Sequence, residues 1–202
     1  MSTELILYDW TVDARCYAVR LGLSLMGLPC TLRAVEREQG AAGRGEAGHP
    51  PMLQAGNVRL SRPCTMLVFA ARLPGVAPAW LDPVHAWAIM DWLDFGATAL
   101  DTLATLRQAA LGAPLPVMPD TRPLMPLLRQ MEDHMAARAL AGEAWFAAPA
   151  PSIADVVPFV VFALAVADLG VERATCPALR RWARGLRRLP GFAVMPGVPD
   201  YA

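Results

Sequence analysis

The strongest constraint in this sequence is a change of periodicity across one proline-rich break. Residues 74–83 contain Pro74, Pro78 and Pro83 together with Gly75, a density of breakers that ends any helix or strand before it. Ahead of the break, short apolar runs alternate with helix-like stretches. Beyond it no strand-like alternation occurs, and the apolar residues recur with helical spacing. The chain is therefore expected to hold a small α/β module at 1–76, a linker at 77–83 and an all-helical module at 84–202. With 202 residues, 55% of them hydrophobic, it has enough apolar side chain for extensive burial in both.

In the first module, Leu5 to Tyr8 reads as a buried strand and Cys16 to Met26 as a helix closed by Gly27. Cys30 to Val35 can be a second strand. A helix between the two makes them most easily parallel, as a right-handed crossover unit. Residues 38–50 read as a loop with room for one helical turn. Met52 to Gln54 and Asn57 to Leu60 flank Ala55-Gly56, a hairpin signal. Ser61 is the expected N-cap of a helix over Cys64 to Leu73, with Pro63 in its first turn. The order β-α-β-α-β-β-α is that of a thioredoxin-like unit.

In the second module, Val84 to Leu111 reads as one long helix with Trp87, Met90, Leu93, Ala97, Leu100 and Leu103 or Ala104 as its stripe. Five prolines in 112–126 imply a loop. Leu127 to Leu140 is the next helix. Ser152-Ile153-Ala154-Asp155 has the form of a capping box opening a helix apolar all round, which belongs in the middle of a bundle. Pro177 to Arg188 is the last helix. Trp87, Trp92 and Trp182 at helical apolar spacing read as core.

Taken together these segments resemble the glutathione transferase superfamily over nearly the whole length. Leu7-Tyr8-Asp9, Val19-Arg20-Leu21 and Gly27-Leu28-Pro29 look like its first strand and helix. Pro51-Met52-Leu53-Gln54 looks like its cis-proline segment, and Asp91-Trp92-Leu93-Asp94-Phe95 like its first C-terminal-domain helix. Ser152 to Asp155, Pro177-Ala178-Leu179 with Trp182, and Arg188 to Phe192 look like its last core helices. The resemblance implies a thioredoxin-like α/β domain followed by an all-α helical bundle. It also implies a glutathione site at the strand ends, an apolar electrophile pocket between the domains and a homodimer.

Such a site needs a hydroxyl or thiol that stabilises the glutathione thiolate by hydrogen bonding. Thr11, Cys16 and Tyr8 are the candidates, Cys16 because a helix start favours a thiolate. Asp13 stands where the family commonly has serine, and an ionised carboxylate only accepts hydrogen bonds. It can instead cap the first helix. Trp10, Arg15 and Asp13 are expected to line the cleft. Pro50, Pro51, Met52, Ser61 and Arg62 fall on the family's glutathione-binding positions. Three residues here depart from the family pattern, Pro50, Arg62 and Pro63. Pro50 has no N–H to offer the cysteinyl moiety. Pro63 removes the hydroxyl and amide expected for the γ-glutamyl carboxylate, while Arg62 places a cation beside them that can anchor a carboxylate bidentately. Losing two charged hydrogen bonds at ~1.5–3 kcal/mol each weakens glutathione on the order of 10²- to 10³-fold unless other contacts compensate. A non-catalytic scaffold that binds a protein or a small anion is therefore a second expectation, and an enzyme using another thiol a third.

Charge and composition exclude other classes. Eighteen basic and eighteen acidic residues balance, which argues against nucleic acid or an anionic membrane surface as partner. Cys16, Cys30, Cys64 and Cys176 form no C-x-x-C pair, and with His49, His85 and His134 they give no metal-ligand spacing. No basic leader segment is apparent, and the longest apolar stretch, Val156 to Ala167, is short for a bilayer span. These features fit a cytoplasmic protein without a metal.

Overall fold

The structure, a computed structural model, describes residues 4–35, 50–112 and 117–198. Strand β1 (Leu5–Asp9) alternates strictly, with Leu5, Leu7 and Asp9 buried and Ile6 and Tyr8 on the other face. Helix α1 (Ala14–Leu25) crosses back so that β2 (Thr31–Ala34) pairs parallel to β1, Leu7 opposite Leu32. β3 (Met52–Ala55) runs antiparallel to β1, and β4 (Val58–Leu60) antiparallel to β3. The sheet order is β2-β1-β3-β4. The hairpin turn sits one residue later than expected. Ala55 still pairs in β3, and Gly56, at φ 60°, takes the left-handed conformation the turn requires. The loop or helical turn expected at 38–50 lies outside the described residues, apart from Pro50.

Helix α2 (Pro63–Ala71) corrects the expectation for Ser61. Its N-cap is Arg62, without a side-chain hydrogen bond, because Pro63 occupies the first helical position and moves the cap one residue on. A short 3-10 turn, Pro78–Leu81, then buries Trp80 within the linker stretch.

The helical part comprises α3 (Ala86–Ala110), α4 (Leu124–Leu140), α5 (Ile153–Leu169) and α6 (Pro177–Arg187), with a 3-10 turn at Arg173–Thr175. α5 is its axis, buried from Ile153 to Ala165. Its capping box is formed as the sequence implies: Ser152 Oγ accepts from the Ala154 N–H, and Asp155 Oδ2 accepts from the Ser152 N–H at 2.9 Å. Asp155 also accepts from the Phe146 N–H and Trp182 Nε1–H, which fixes the preceding loop and α6 to the start of α5. Burial pushes this carboxyl group's pKa up despite those donors. α3 approaches α5 closely at Gly96, where a Cβ would stand 2.7 Å from Val157 Cγ1.

The expected stripe of α3 holds at Leu93, Leu100, Leu103 and Ala104, which are buried, and fails at its start. Trp87 and Met90 are 87% and 40% exposed, while Ile89, Leu93, Gly96, Leu100, Leu103 and Ala104 face inward. The start of the helix is apolar enough to fit two phases, and packing selects one of them. Trp182 is buried and Trp92 half-buried, as core residues should be. α1 joins the two parts by packing on both α3 and α5. Arg107 of α3 adds polar ties, donating from Nε to Val12 O, from Nη1 to Asp168 and from Nη2 to Pro196 O.

Candidate functional site

The first part of the site is the start of α1, where Asp13 is the N-cap and 1% exposed. Its Oδ1 accepts from the Arg15 N–H at 2.8 Å and the Cys16 N–H at 3.2 Å. Its Oδ2 accepts from Arg15 Nη2 at 2.9 Å and from Gln108 Nε2 of α3 at 2.6 Å. Burial alone would raise this carboxyl group's pKa. The Arg15 hydrogen bonds and charge, with Gln108 and the Cys16 amide, outweigh it and hold the group below its ordinary value. Asp13 is thus a buried structural anchor rather than a residue lining an open cleft, which corrects the expectation for it. Arg15 remains partly exposed and also lies 3.9 Å from Asp101 of α3.

Cys16, in the same turn, is fully buried and its Sγ accepts from the Trp10 N–H at 3.3 Å. Burial pushes the thiol's pKa well up, and the Asp13 charge adds to the effect. The thiolate expected from its place at a helix start is disfavoured, because desolvation in the core exceeds the helix-terminal field.

Tyr8 is also displaced from its expected role. It lies on the opposite face of the sheet from Leu5 and Leu7. There its hydroxyl donates to Gln54 Oε1 and accepts from Arg33 Nη1, each at 3.4 Å, with the Arg33 guanidinium 5.7 Å from the ring. Thr11 is exposed. Its carbonyl accepts from Arg20 Nη2 at 2.8 Å, and Arg20 also pairs with buried Asp9. This Arg20 clamp shapes the β1–α1 loop and holds Thr11 at the surface. Trp10 is half-buried beside it.

The second part is the β3–α2 side. Pro50–Pro51 is a cis peptide, with Pro51 and Met52 buried at the start of β3. Met52 pairs opposite Tyr8. Ser61 and Arg62 are exposed ahead of α2. The first turn of α2 carries no acidic residue and no side-chain cap, so its backbone donors are available to an anion. Cys64, in that turn, donates from Sγ to Leu93 O of α3 at 3.6 Å, and burial pushes its pKa up to about 11.

Sequence reasoning missed Gln108, Asp101 and Arg107. Arg107 had a local signal, a lone charge continuing the buried stripe of Leu100, Leu103 and Ala104. Gln108 had none, since its partner Asp13 is 95 positions away.

No family model matches the chain, and no curated protein matches it in sequence. Solved structures do. A glutathione S-transferase from Xanthobacter autotrophicus is 25% identical, covers 96% of this chain and 98% of its own, and has a TM-score of 0.70. A possible glutathione S-transferase from Rhodopseudomonas palustris is 22% identical, with 96% and 99% covered and a TM-score of 0.71. A glutathione transferase homologue from Drosophila mojavensis, solved with bound glutathione, is 20% identical, with 93% and 89% covered and a TM-score of 0.71. Among the described residues no helix is long and apolar enough to cross a membrane. The structure and these likenesses agree, and over nearly its whole length the chain has the glutathione transferase fold.

Proposed function

We propose that the protein is a divergent member of the glutathione transferase superfamily that conjugates glutathione, or a related thiol, to a small apolar electrophile between its two domains. The observation that carries this reading is the cis Pro50–Pro51 segment beside an uncapped α2 start, within a glutathione transferase fold. Thr11 is the hydroxyl that hydrogen-bonds the thiolate, since Cys16 and Tyr8 are committed elsewhere. Arg62, with Ser61, holds the γ-glutamyl carboxylate in place of the donors that Pro63 removes. Pro51 and Met52 border the cysteinyl moiety.

As parts of the same reading the protein is cytoplasmic and a homodimer. Val84, Trp87 and Met90 stand 83%, 87% and 40% exposed along one side of the α3 start, an apolar patch of the kind that a partner covers. Trp87→Glu is expected to shift the sedimentation of the chain from dimer to monomer.

The second reading, a non-catalytic scaffold, is favoured by Asp13, whose carboxylate replaces the expected hydroxyl and is saturated by its own neighbours. Calorimetric titration with glutathione, followed by a conjugation assay with an aryl chloride, separates the two. Binding at millimolar glutathione with turnover, both reduced by Arg62→Ala and turnover reduced by Thr11→Val, supports the enzyme. Absence of binding at that concentration sinks it in favour of the scaffold.

A further inference from the structure

A pocket of about 270 Å³ opens between α4, α6 and the loop that joins α4 to α5. It has room because small residues line it from both helices, Ala139 on α4 and Gly185 on α6. A Cβ on Gly185 would stand 3.7 Å from Trp145 Cη2, so the half-buried Trp145 ring borders the same space. Buried Met135 and Trp182 form the floor. None of these elements carries Thr11, Pro51 or Arg62.

Two opposite charges also line the pocket, Arg181 of α6 and Glu143 of the loop. Arg181 is exposed and makes no ion pair among the described residues. Glu143 pairs with Arg138 through Oε2, and its side chain is 41% exposed, which leaves Oε1 open to a second donor. The loop itself is pinned. Arg138 donates from Nε to Trp145 O at 2.7 Å and from Nη2 to Ala148 O at 3.0 Å. The Glu143 N–H donates to Arg138 O at 2.9 Å, and the Phe146 N–H to Asp155 Oδ1 at 3.0 Å. Glu143 and Trp145 therefore stand in place before any ligand arrives, which lowers the ordering cost of binding.

A cavity of about 150 Å³ is enough to hold benzene, so this one has space for a phenyl-sized group and a polar head. The charges decide which head. A bare anion on Arg181 would meet the Glu143 carboxylate, and a bare cation on Glu143 would meet Arg181. A molecule with both charges on one carbon satisfies both. We propose that the pocket binds a free α-amino acid with a large apolar side chain. Its carboxylate sits on the planar fork of Arg181, which suits a carboxylate bidentately. Its ammonium donates to Glu143, and its side chain packs against Trp145 and Met135. The proposal is independent of the glutathione reading, and its test uses no glutathione.

The test is calorimetric titration of the full chain with L-phenylalanine. 3-Phenylpropionate lacks the ammonium, 2-phenylethylamine lacks the carboxylate and glycine lacks the side chain. L-Phenylalanine is expected to bind at least about tenfold more tightly than each of the three, the loss expected for one charged hydrogen bond or one buried ring. Arg181→Gln is expected to weaken it about tenfold or more. Gly185→Leu, which puts a side chain into the pocket, is expected to abolish binding. Arg129→Gln, which removes the same charge from an exposed site on α4, is expected to leave it unchanged. Thermal melts establish that each variant is folded; Ala139→Leu serves if Gly185→Leu is not. Absence of L-phenylalanine binding at about 10 mM overturns the proposal. So does equal binding of any of the three analogues, an affinity that Arg181→Gln and Arg129→Gln lower equally, or binding that survives in a folded variant with the pocket filled.

Discussion

Two helices of the α/β part, α1 and α2, both begin against α3, and they begin in opposite ways. α1 starts on a buried aspartate that its own amides, Arg15 and Gln108 saturate. α2 starts on an exposed arginine with a proline at its first position and no side-chain cap. One helix start satisfies its donors internally and ties the two parts of the molecule together. The other leaves its donors, and a cation, facing outward. The difference separates two uses of a helix start: an anion built into the chain is structure, while the uncapped start beside Arg62 leaves backbone donors that the proposed function assigns to a ligand's carboxylate. Both starts also carry a cysteine, and in both burial defeats the helix field.

The largest expected effect breaks the α1 side of this comparison. Asp13→Ala removes an N-cap and charge-assisted hydrogen bonds, and is expected to cost about 2–4 kcal/mol in denaturant unfolding. Arg62→Ala is expected to change the same measurement by less than about 0.5 kcal/mol. If the two variants lose similar stability, the contrast between the helix starts is wrong.

Next in size is thiol reactivity. At neutral pH, iodoacetamide is expected to modify Cys64 roughly 100-fold more slowly than a free cysteine, as its raised pKa leaves little thiolate. Cys16 is expected to react only as the chain unfolds, so its rate should follow added denaturant. Mass spectrometry of the alkylated peptides reads both, and rapid labelling of Cys16 in the native protein contradicts its burial. A smaller effect concerns ligand binding: Arg62→Ala is expected to weaken glutathione about tenfold by calorimetry, and Arg62→Lys less than that.

The smallest effect is in pH. Asp13 has a folded pKa below its unfolded value. Its contribution is therefore present above the unfolded value of about 4 and is lost as pH falls through the folded one. Unfolding free energies of wild type and Asp13→Asn should converge below about pH 4, whereas the small difference between wild type and Arg62→Ala should not depend on Asp13's titration. A gap between wild type and Asp13→Asn that widens towards acid contradicts the direction of the shift.

The local devices of the fold were legible along the chain. The capping box at Ser152 and Asp155 needs only residues three apart, and it is formed as read. The cap of α2 was legible too, had the preference of Pro63 for the first helical position been weighed above the hydroxyl of Ser61. The start of α3 was not, because Trp87, Ile89 and Met90 offer more than one apolar stripe there and only packing decides which is buried. Among the candidate site residues named by the sequence reading, Thr11 and Arg62 are surface groups. Tyr8 lay beyond that reading, since alternation assigns its face without saying which face meets the helical part.

The sequence by itself determined the order of the described strands and main helices, the parallel β1–β2 pair, the β3–β4 hairpin and the helix boundaries to within a few residues, because those follow from side-chain periodicity and from caps acting over one turn. Only the tertiary structure decided what the charged and sulfur groups do. Gln108 reaches Asp13 across 95 positions, and the protein interior desolvates Cys16 and Cys64. Protonation and pairing depend on what surrounds a group in space, and neighbours along the chain are a small part of that surrounding.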